Sequence, residues 1–301
     1  MTYIDYIMYN GDNDKNSRER KAMYDYEEKD VESVVERIIS ELPPKTENDK
    51  IAIAIILGGQ PGAGKSTLHQ IAKNSCQNIV IINGDEFRKY HPHFKEIEEK
   101  YGENFPEYTN DFSSAVTEML KSRLIHERRS AVVEGTLRTA EVPLKTCREF
   151  KEKGYKTILA IMAVKPEISY LSTILRYEKM IDAGMAARAT SKRHHDMVVE
   201  NLSENLKTIY NAKVFDQILV YNRDGQCLSN MSHKKPHEIL RDILTGKWNE
   251  SEIENFNDVY KETLNLKRKR HAADLPRFEA EYSEILRTIE RGASLGGEYD
   301  I

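Results

Sequence analysis

The chain is poor in cysteine and has no long apolar run. Its three cysteines, Cys76, Cys147 and Cys227, are odd in number and far apart, so neither a disulfide framework nor a zinc site of the CxxC type is indicated. No segment approaches the ~18 apolar residues that a membrane-spanning helix needs, and the N-terminus lacks the basic and apolar regions of a signal peptide. We therefore expect a cytoplasmic protein that has no contact with a membrane.

The chain also lacks an excess of charge of either sign. Lysine and arginine total 45 against 49 aspartate and glutamate residues, which is a net charge of -4 at pH 7. This balance offers no broad basic surface, so nucleic acid is not an expected partner. With 39% hydrophobic and 31% charged residues, the composition is typical of a globular protein rather than of a disordered or fibrous one.

Strand and helix patterns alternate along the middle of the chain. Continuous apolar runs predict buried strands at residues 51–57, 78–82, 131–134, 156–164 and 217–221. Amphipathic stretches between these runs predict helices. The alternation predicts the α/β class, with a mostly parallel sheet flanked by helices.

The two ends of the chain differ from this middle region. Residues 1–50 are predicted to be an N-terminal helical segment and linker, and residues 247–301 a C-terminal helical tail that docks as a helical pair. The predicted core, residues 51–246, lies between these helical additions. A basic cluster at 267–271 falls on a predicted helix end, where a solvated face is the expected role.

A glycine-rich motif, GGQPGAGKST, occupies residues 58–67 between a predicted strand and a predicted helix. Its GxxxxGK[ST] spacing is that of a P-loop, whose backbone N–H groups surround phosphate oxygens. Lys65 is expected to reach the β- and γ-phosphates, and Ser66 to ligate Mg²⁺. The motif predicts binding of ATP or GTP with Mg²⁺ in a P-loop kinase-like fold. The predicted nucleotide-binding residues are Gly59, Gln60, Pro61, Gly62, Ala63, Gly64, Lys65, Ser66 and Thr67.

The P-loop alone does not identify the phosphate acceptor. The chain has no NKxD motif of the GTPases and no apolar Walker B strand that ends in aspartate. These absences favour a small-molecule kinase. Two alternatives stay open at this point: a kinase of a different acceptor, such as an antibiotic or a nucleotide, and a nucleotide-binding regulatory module that has no transfer chemistry.

Polar residues follow two of the predicted strands, at the sheet edge where ligands bind in open α/β folds. Asp85 can accept the proton of an acceptor hydroxyl, although an aspartate there can equally cap the next helix. Glu134, Thr136 and Arg138 alternate in VVEGTLRT and so lie on one side if the chain is extended. They suit a polyhydroxylated, phosphorylated acceptor, and the alternative is an ordinary polar loop.

Two arginines, Arg176 and Arg188, fall in the predicted lid, about residues 167–190. Arginines of such a lid neutralise charge on the phosphoryl group during transfer. Four histidines, His91, His93, His194 and His195, have no third partner at a metal-ligand spacing, so we expect surface or hydrogen-bonding roles for them.

Taken together, these motifs resemble those of the zeta toxins of bacterial toxin–antitoxin systems. The resemblance is carried by GGQPGAGKST, NGDEFRKYHPHF, VVEGTLRTAEVP, KPEISYLSTILRYE and ARATSKRHHDMVV, in this order between about residues 51 and 222. It implies an ATP-dependent kinase that phosphorylates the 3'-hydroxyl of UDP-N-acetylglucosamine and so blocks peptidoglycan synthesis. It also implies an epsilon-type antitoxin partner, and the N-terminal segment is a candidate either for binding it or for inhibiting the kinase itself.

The resemblance assigns roles to residues of this chain. Asp85 of GDEF corresponds to the catalytic base, and Lys65, Arg176 and Arg188 to the residues that stabilise the transferred phosphate. The acceptor-binding positions are Glu118, Glu134, Thr136, Arg138 and Thr146.

Overall fold

The computed structural model describes residues 24–44 and 51–294. The strands are β1 (Ile53–Gly58), β2 (Val80–Ile82), β3 (Ala131–Val133), β4 (Lys156–Met162) and β5 (Gln217–Tyr221). The helices are α1 (Glu28–Ser40), α2 (Ser66–Ser75), α3 (Gly84–Phe87), α4 (Phe94–Tyr101), α5 (Phe105–His126), α6 (Glu141–Lys151), α7 (Pro166–Asp182), α8 (Lys192–Ala212), α9 (Pro236–Thr245), α10 (Glu250–Lys269) and α11 (Leu275–Ser294). Most of the predicted linker, residues 45–50, and the ends of the chain lie outside the described residues.

The strands form one sheet in the order β2-β3-β1-β4-β5, and all its strand pairs are parallel. In the centre, Ile55 of β1 is in register with Val132 of β3 on one side and with Ile158 of β4 on the other. The central strands are apolar throughout because a parallel sheet carries helices on both faces. The predicted α/β fold, a parallel sheet flanked by helices, is confirmed.

Parallel strands end at the same edge of a sheet, and this edge collects the polar residues of the chain. The P-loop follows β1, Glu134 follows β3, Lys165 follows β4 and Arg223 follows β5. These residues are far apart in sequence. The strand order therefore decides which of the loops become neighbours.

The chain divides into two compact units, and the smaller contains the described residues up to Glu41 together with Gly84–Leu120. Within this unit, Val31 and Val35 of α1 are buried. The ring of Tyr26 lies edge-on to that of Phe112 in α5, with 5.2 Å between the ring centroids. The predicted N-terminal helix is thus present, while the proposed domain boundary at residue 50 stays a prediction.

The larger unit contains Leu42–Asn83 and the chain from Lys121 onward. Its apolar core joins Leu57 of β1 and Leu171 of α7 to Phe256 of α10 and Phe278 of α11. The helices α10 and α11 are therefore the docked pair that the apolar stripe of the tail predicted; α10 packs against α7, and α11 packs against α10.

Two features of the larger unit differ from the sequence prediction. Helix α9 was not predicted, although it begins with a proline at its first turn and buries Ile239 and Leu240. The expected solvated role of the basic cluster at 267–271 is wrong for Lys267, which is 3% exposed because it forms ion pairs inside the helix packing. Among the helices that the structure describes, none is both long enough and apolar enough to cross a bilayer.

Candidate active site

The P-loop turns sharply between β1 and α2. Gly59, Gly62 and Gly64 have φ angles of 135°, 76° and 93°, which residues with a side chain rarely adopt. At Gly62 a Cβ atom would lie 2.0 Å from the carbonyl oxygen of Ser169, so glycine is required there for space as well. Helix α2 begins directly after the loop, at Ser66, and its first N–H groups and dipole favour an anion at this point.

Lys65 is held inside the loop by backbone oxygens. Its Nζ atom donates a hydrogen bond of 3.0 Å to the carbonyl of Gly59, and it lies 3.9 Å from Oε1 of Glu134. The side chain is only 9% exposed. The ammonium group is therefore held at the predicted phosphate site, and its low exposure to solvent strengthens its attraction for an anion.

Gln60 anchors the P-loop to α7 and, through Ser169, to α8. Its buried side chain donates to the carbonyl of Val164 at 2.8 Å and to Oγ of Ser169 at 3.2 Å. Ser169 Oγ in turn lies 2.8 Å from Nε2 of His195, which contacts the carboxylate of Asp196 through Nδ1. Burial lowers the pKa of His195 below its ordinary value although the Asp196 carboxylate opposes this shift, so the ring is neutral near pH 7. The hydrogen-bonding role expected for this histidine is confirmed.

Glu134 lies between Lys65, the P-loop residue that precedes α2, and His69 of α2. Its Oε2 atom is 3.1 Å from Nε2 of His69, and its other oxygen faces Lys65. The sequence interpretation did not include His69. The signal was available, because Lys65 and His69 are four residues apart at a helix start and so share one face.

A cavity of about 330 Å³ lies beside Glu134. Four of the five predicted acceptor-binding residues line it: Glu134, Thr136, Arg138 and Thr146. The cavity is also lined by Val142, Pro143 and His194. Its lining therefore combines apolar side chains with a carboxylate, a guanidinium and hydroxyls. Such a mixture suits a ligand that has hydroxyl groups, phosphate and an apolar ring face.

The loop after β3 is held in a rare backbone conformation. Leu137 has a φ angle of 60° although it is not a glycine. Asn205 of α8 donates hydrogen bonds of 3.0 Å to the carbonyl of Leu137 and 2.8 Å to that of Arg138. Backbone strain of this kind persists only where neighbours impose it, and it is commonly found at ligand sites. Asn205 is thus a residue of the site that sequence reasoning missed.

The two predicted lid arginines lie on α7 and in the connection that joins α7 to α8. Arg176 is exposed on α7, and its guanidinium donates to Oγ1 of Thr190 at 3.3 Å. Arg188 is half-buried in the segment between the two helices. This hydrogen bond joins the connection that contains Arg188 to α7.

Asp85 and Glu118 belong to the smaller unit. Asp85 lies on α3, and its Oδ1 atom is 3.2 Å from Nε of Arg88. Arg88 also donates to the carbonyl of Pro106 at 2.9 Å and to Asn110 at 3.3 Å, so it connects Asp85 to α5. Glu118 is half-buried on α5. The catalytic role of Asp85 and the binding role of Glu118 stay predictions.

An oxygen ligand for a divalent cation lies at the start of α2. Ser66 exposes its hydroxyl at the first residue of α2, and Mg²⁺ bound to nucleotides usually takes one or two protein oxygens and keeps several waters. Ser66 therefore fits a Mg²⁺–nucleotide complex. Within residues 24–44 and 51–294, no group of three His, Cys, Asp or Glu side chains could hold a metal ion.

Comparison with known proteins identifies one family, and the matched residues include the P-loop and the residues that line the cavity. A family model described as Zeta toxin matches residues 21–233. Toxin PezT of Streptococcus pneumoniae serotype 4 is 42% identical over 234 residues, which are 76% of this chain and 92% of that protein. Toxin zeta of Streptococcus agalactiae is 38% identical over 235 residues, 76% of this chain and 82% of that protein.

A solved structure shows the same similarity. A chain from the PezAT chromosomal toxin–antitoxin system of the human pathogen Streptococcus pneumoniae has a TM-score of 0.73 and 36% identity to this chain. The alignment covers 81% of this chain and 98% of that one. Helices α9, α10 and α11 lie beyond residue 233 and therefore outside the family match.

Proposed function

This chain belongs to the zeta toxin family, and we propose that it is a kinase that transfers the γ-phosphate of ATP to the 3'-hydroxyl of UDP-N-acetylglucosamine. Phosphorylation of this sugar nucleotide blocks peptidoglycan synthesis, which is how the protein acts as a toxin. The proposal rests on the family and on the geometry of the larger unit.

The contact between the phosphate site and the cavity carries the proposal. Glu134 lines the cavity and lies 3.9 Å from Lys65 of the P-loop. An acceptor held by Glu134, Thr136, Arg138 and Thr146 therefore lies directly beside the residue that binds the γ-phosphate. Placing two reactants side by side in this way removes much of the entropic cost of a bimolecular reaction.

The chemistry assigned to the chain has one displacement step. Asp85 accepts the proton of the 3'-hydroxyl, the freed oxygen bonds to the γ-phosphorus, and the bond from that phosphorus to the bridging oxygen of ADP breaks. Negative charge spreads over the transferred oxygens meanwhile, and Lys65, Arg176 and Arg188 are the cations assigned to neutralise it.

The nucleotide complex takes one further ligand from the chain. Part of the negative charge of the nucleotide phosphates would be neutralised by Mg²⁺. Ser66 is the residue assigned to hold it. The remaining P-loop residues, except Pro61, which has no backbone N–H, are assigned to donate backbone N–H groups to phosphate oxygens.

An epsilon-type antitoxin is the proposed protein partner. The support is the similarity to a chain of the PezAT toxin–antitoxin system, which covers 98% of that chain. Coexpression with a candidate antitoxin should abolish toxicity and yield a stable complex on size-exclusion chromatography. If the toxin stays lethal when it is coexpressed with the product of the neighbouring gene, and elutes without it, that product is not the antitoxin.

The proposed reaction is tested with labelled ATP, Mg²⁺ and UDP-N-acetylglucosamine. The wild type and the matched control Glu86→Gln should form a 3'-phosphorylated product, identified by NMR, whereas Asp85→Asn should bind ATP and transfer about 10² to 10⁴ times more slowly. Bound ATP without transfer by the wild type would refute this acceptor and favour another small molecule. Undiminished toxicity of Asp85→Asn would indicate a regulatory module instead of an enzyme.

A further inference from the structure

The helical pair α10–α11 lies outside the family match, yet it shares the core of the nucleotide-binding unit. Phe256 of α10 is fully buried, and Phe278 and Tyr282 of α11 are 4% and 3% exposed. These rings pack with Leu171 of α7, the helix that carries Arg176. The pair is therefore attached to the arginine-bearing helix over an apolar face.

A buried carboxylate makes this attachment specific. Glu178 lies two residues after Arg176 on α7, and its side chain is 0% exposed. Lys267 of α10 lies 2.9 Å from one oxygen, and the guanidinium of Arg270, at the end of α10, donates to the same oxygen at 2.8 Å and to the second oxygen as well. Burial alone would raise the pKa of Glu178, but the hydrogen bonds from Arg270 and Lys267 hold it below its usual value.

Further contacts fix the two ends of α7. Lys165 immediately precedes α7, and its buried Nζ donates a 2.6 Å hydrogen bond to the carbonyl of Gly246, in the connection that leads to α10. At the other end Lys269 pairs with Asp182, the last residue of α7. This exposed pair is weak by itself. The chain from Gly246 onward nevertheless contacts the residue before α7, the buried Glu178 of α7 and the end of α7, where the connection that contains Arg188 begins. Arg176 is exposed on a different face of α7 from Glu178.

The tail also reaches the P-loop through one arginine. Asn255 of α10 accepts a 2.8 Å hydrogen bond from Arg223, which follows β5. Arg223 donates in turn to the carbonyl of Gly62 at 3.1 Å and to Oγ of Ser172 on α7 at 2.8 Å. Its Nε atom would be 3.4 Å from a Cβ atom placed on Gly64. The guanidinium thus joins the P-loop, α7 and α10 at one point.

We propose that the helical pair α10–α11 is a positioning element for phosphoryl transfer, which sets the place of the lid arginines through Glu178 and the shape of the P-loop through Asn255 and Arg223. This inference rests on the proposed kinase function and adds a role for a region outside the family match. A positioning role can be told apart from simple stabilisation of the fold. Loss of the Glu178 contact should change the rate of transfer, whereas loss of the contact between Asn255 and Arg223 should change the affinity for ATP.

The test uses point variants of the full-length chain with matched controls. Arg270→Gln removes a partner of Glu178, and Arg268→Gln is its control because Arg268 pairs with Glu279 of α11 and not with α7. Arg270→Lys keeps the charge. Asn255→Ala removes the contact to Arg223, and Asn265→Ala, exposed on the same helix, is its control.

The readouts are kcat for transfer, the Kd for ATP, slow hydrolysis of ATP without an acceptor, and the melting temperature. We expect Arg270→Gln to lower kcat and hydrolysis about 3- to 30-fold with the Kd for ATP nearly unchanged, Arg270→Lys to recover much of the rate, and Asn255→Ala to raise the Kd for ATP about 3- to 10-fold. Both controls should behave as the wild type does.

Variants that lower only the melting temperature, with kinetic constants equal to those of their controls, would overturn the positioning role. If Arg270→Gln does not fold, Asn255→Ala and Arg270→Lys still decide the question. A wild type that fails to phosphorylate UDP-N-acetylglucosamine would count against the proposed acceptor alone, since ATP affinity and hydrolysis report on the positioning role without any acceptor.

Discussion

Lys65 and Glu134 face each other across 3.9 Å, although the four helices α2 to α5 and the strands β2 and β3 separate them in sequence. The lysine belongs to the P-loop after β1, and the glutamate follows β3, the neighbouring strand in the sheet. The second carboxylate oxygen of Glu134 lies 3.1 Å from Nε2 of His69. One carboxylate therefore connects the phosphate site to the cavity, and the first two predictions concern this pair.

Replacing Lys65 by Met should lower kcat by at least about 100-fold, because a cation aimed at the transferring phosphate stabilises charge that develops in the transition state. Steady-state kinetics with saturating ATP measures this loss. Lys73 is exposed on α2, the helix that follows Lys65, and the control Lys73→Met should keep full activity. Near-normal turnover of Lys65→Met would show that another cation performs the role.

Replacing Glu134 by Gln should raise the KM for the sugar nucleotide about 10- to 100-fold while the Kd for ATP changes little, since hydrogen bonds to a charged group contribute about 1.5–3 kcal/mol. Kinetics at varied acceptor concentration and ATP titration separate the two effects. Glu141→Gln, exposed at the start of α6, should leave both constants unchanged. A lower affinity for ATP with an unchanged acceptor KM would mean that Glu134 acts by orienting Lys65.

Gly62→Ala should destabilise the protein strongly, by more than about 3 kcal/mol, and abolish ATP binding, because the new Cβ would collide with a backbone oxygen at 2.0 Å. Gly184→Ala provides the comparison. Gly184 also has a positive φ, 63°, but has nothing within 4 Å of the Cβ position, so only the backbone cost of about 1–2 kcal/mol applies. Urea unfolding and ATP titration of both variants test this difference, and equal effects would refute the crowding argument.

The stability of the protein should fall in mild acid because of His91. Burial, and to a lesser extent the nearby His93, lowers the pKa of this ring from 6.5 to about 4, although Asp30 acts in the opposite direction. Its Nδ1 accepts the backbone N–H of His93 at 3.1 Å, a bond that the protonated ring cannot accept. Below pH 6.5 the unfolded chain binds more protons than the folded one, so this contribution is complete above pH 6.5 and is lost as the pH falls toward 4.

The loss of unfolding free energy between pH 7.5 and pH 5 should be about 2 kcal/mol smaller in His91→Asn, which keeps an acceptor but does not titrate. Urea unfolding at the two pH values measures it. His126→Asn, at the exposed end of α5, should show the pH dependence of the wild type. If His91→Asn has that same pH dependence, the buried ring is not the group responsible.

Much of the fold could be predicted because its signals are local. A strand of five or six apolar residues, the alternation of strands with helices, and the P-loop spacing are each contained in a short window of sequence. The grouping of Glu134, Thr136 and Arg138 was predictable for the same reason, since they belong to one strand-to-loop transition. Glu118 and Thr146 were assigned by family resemblance alone, whereas Asp85 was also indicated locally, because it follows a predicted strand at the sheet edge where ligands bind.

Other residues of the site carry no local signal. Three such residues are Arg223, Asn205 and Arg88, whose sequence neighbours are ordinary polar residues. Each acquires its role from a hydrogen-bond partner that lies far away in sequence or on another helix. Lys267 was misjudged for this reason: within its own helix it belongs to a basic surface run, whereas Glu178 buries it. Such pairings depend on which faces meet after packing, and a short window of sequence does not contain that information.

The sequence by itself determined the parallel α/β sheet and the phosphate-binding loop, because apolar periodicity and glycine geometry act over a few residues. The zeta toxin family was indicated by the resemblance of its motifs. Only the tertiary structure decided that Glu134 meets Lys65 and that the last two helices hold α7 through Glu178. The order of strands in the sheet brings the first pair together, and the burial of an apolar helix face brings the second.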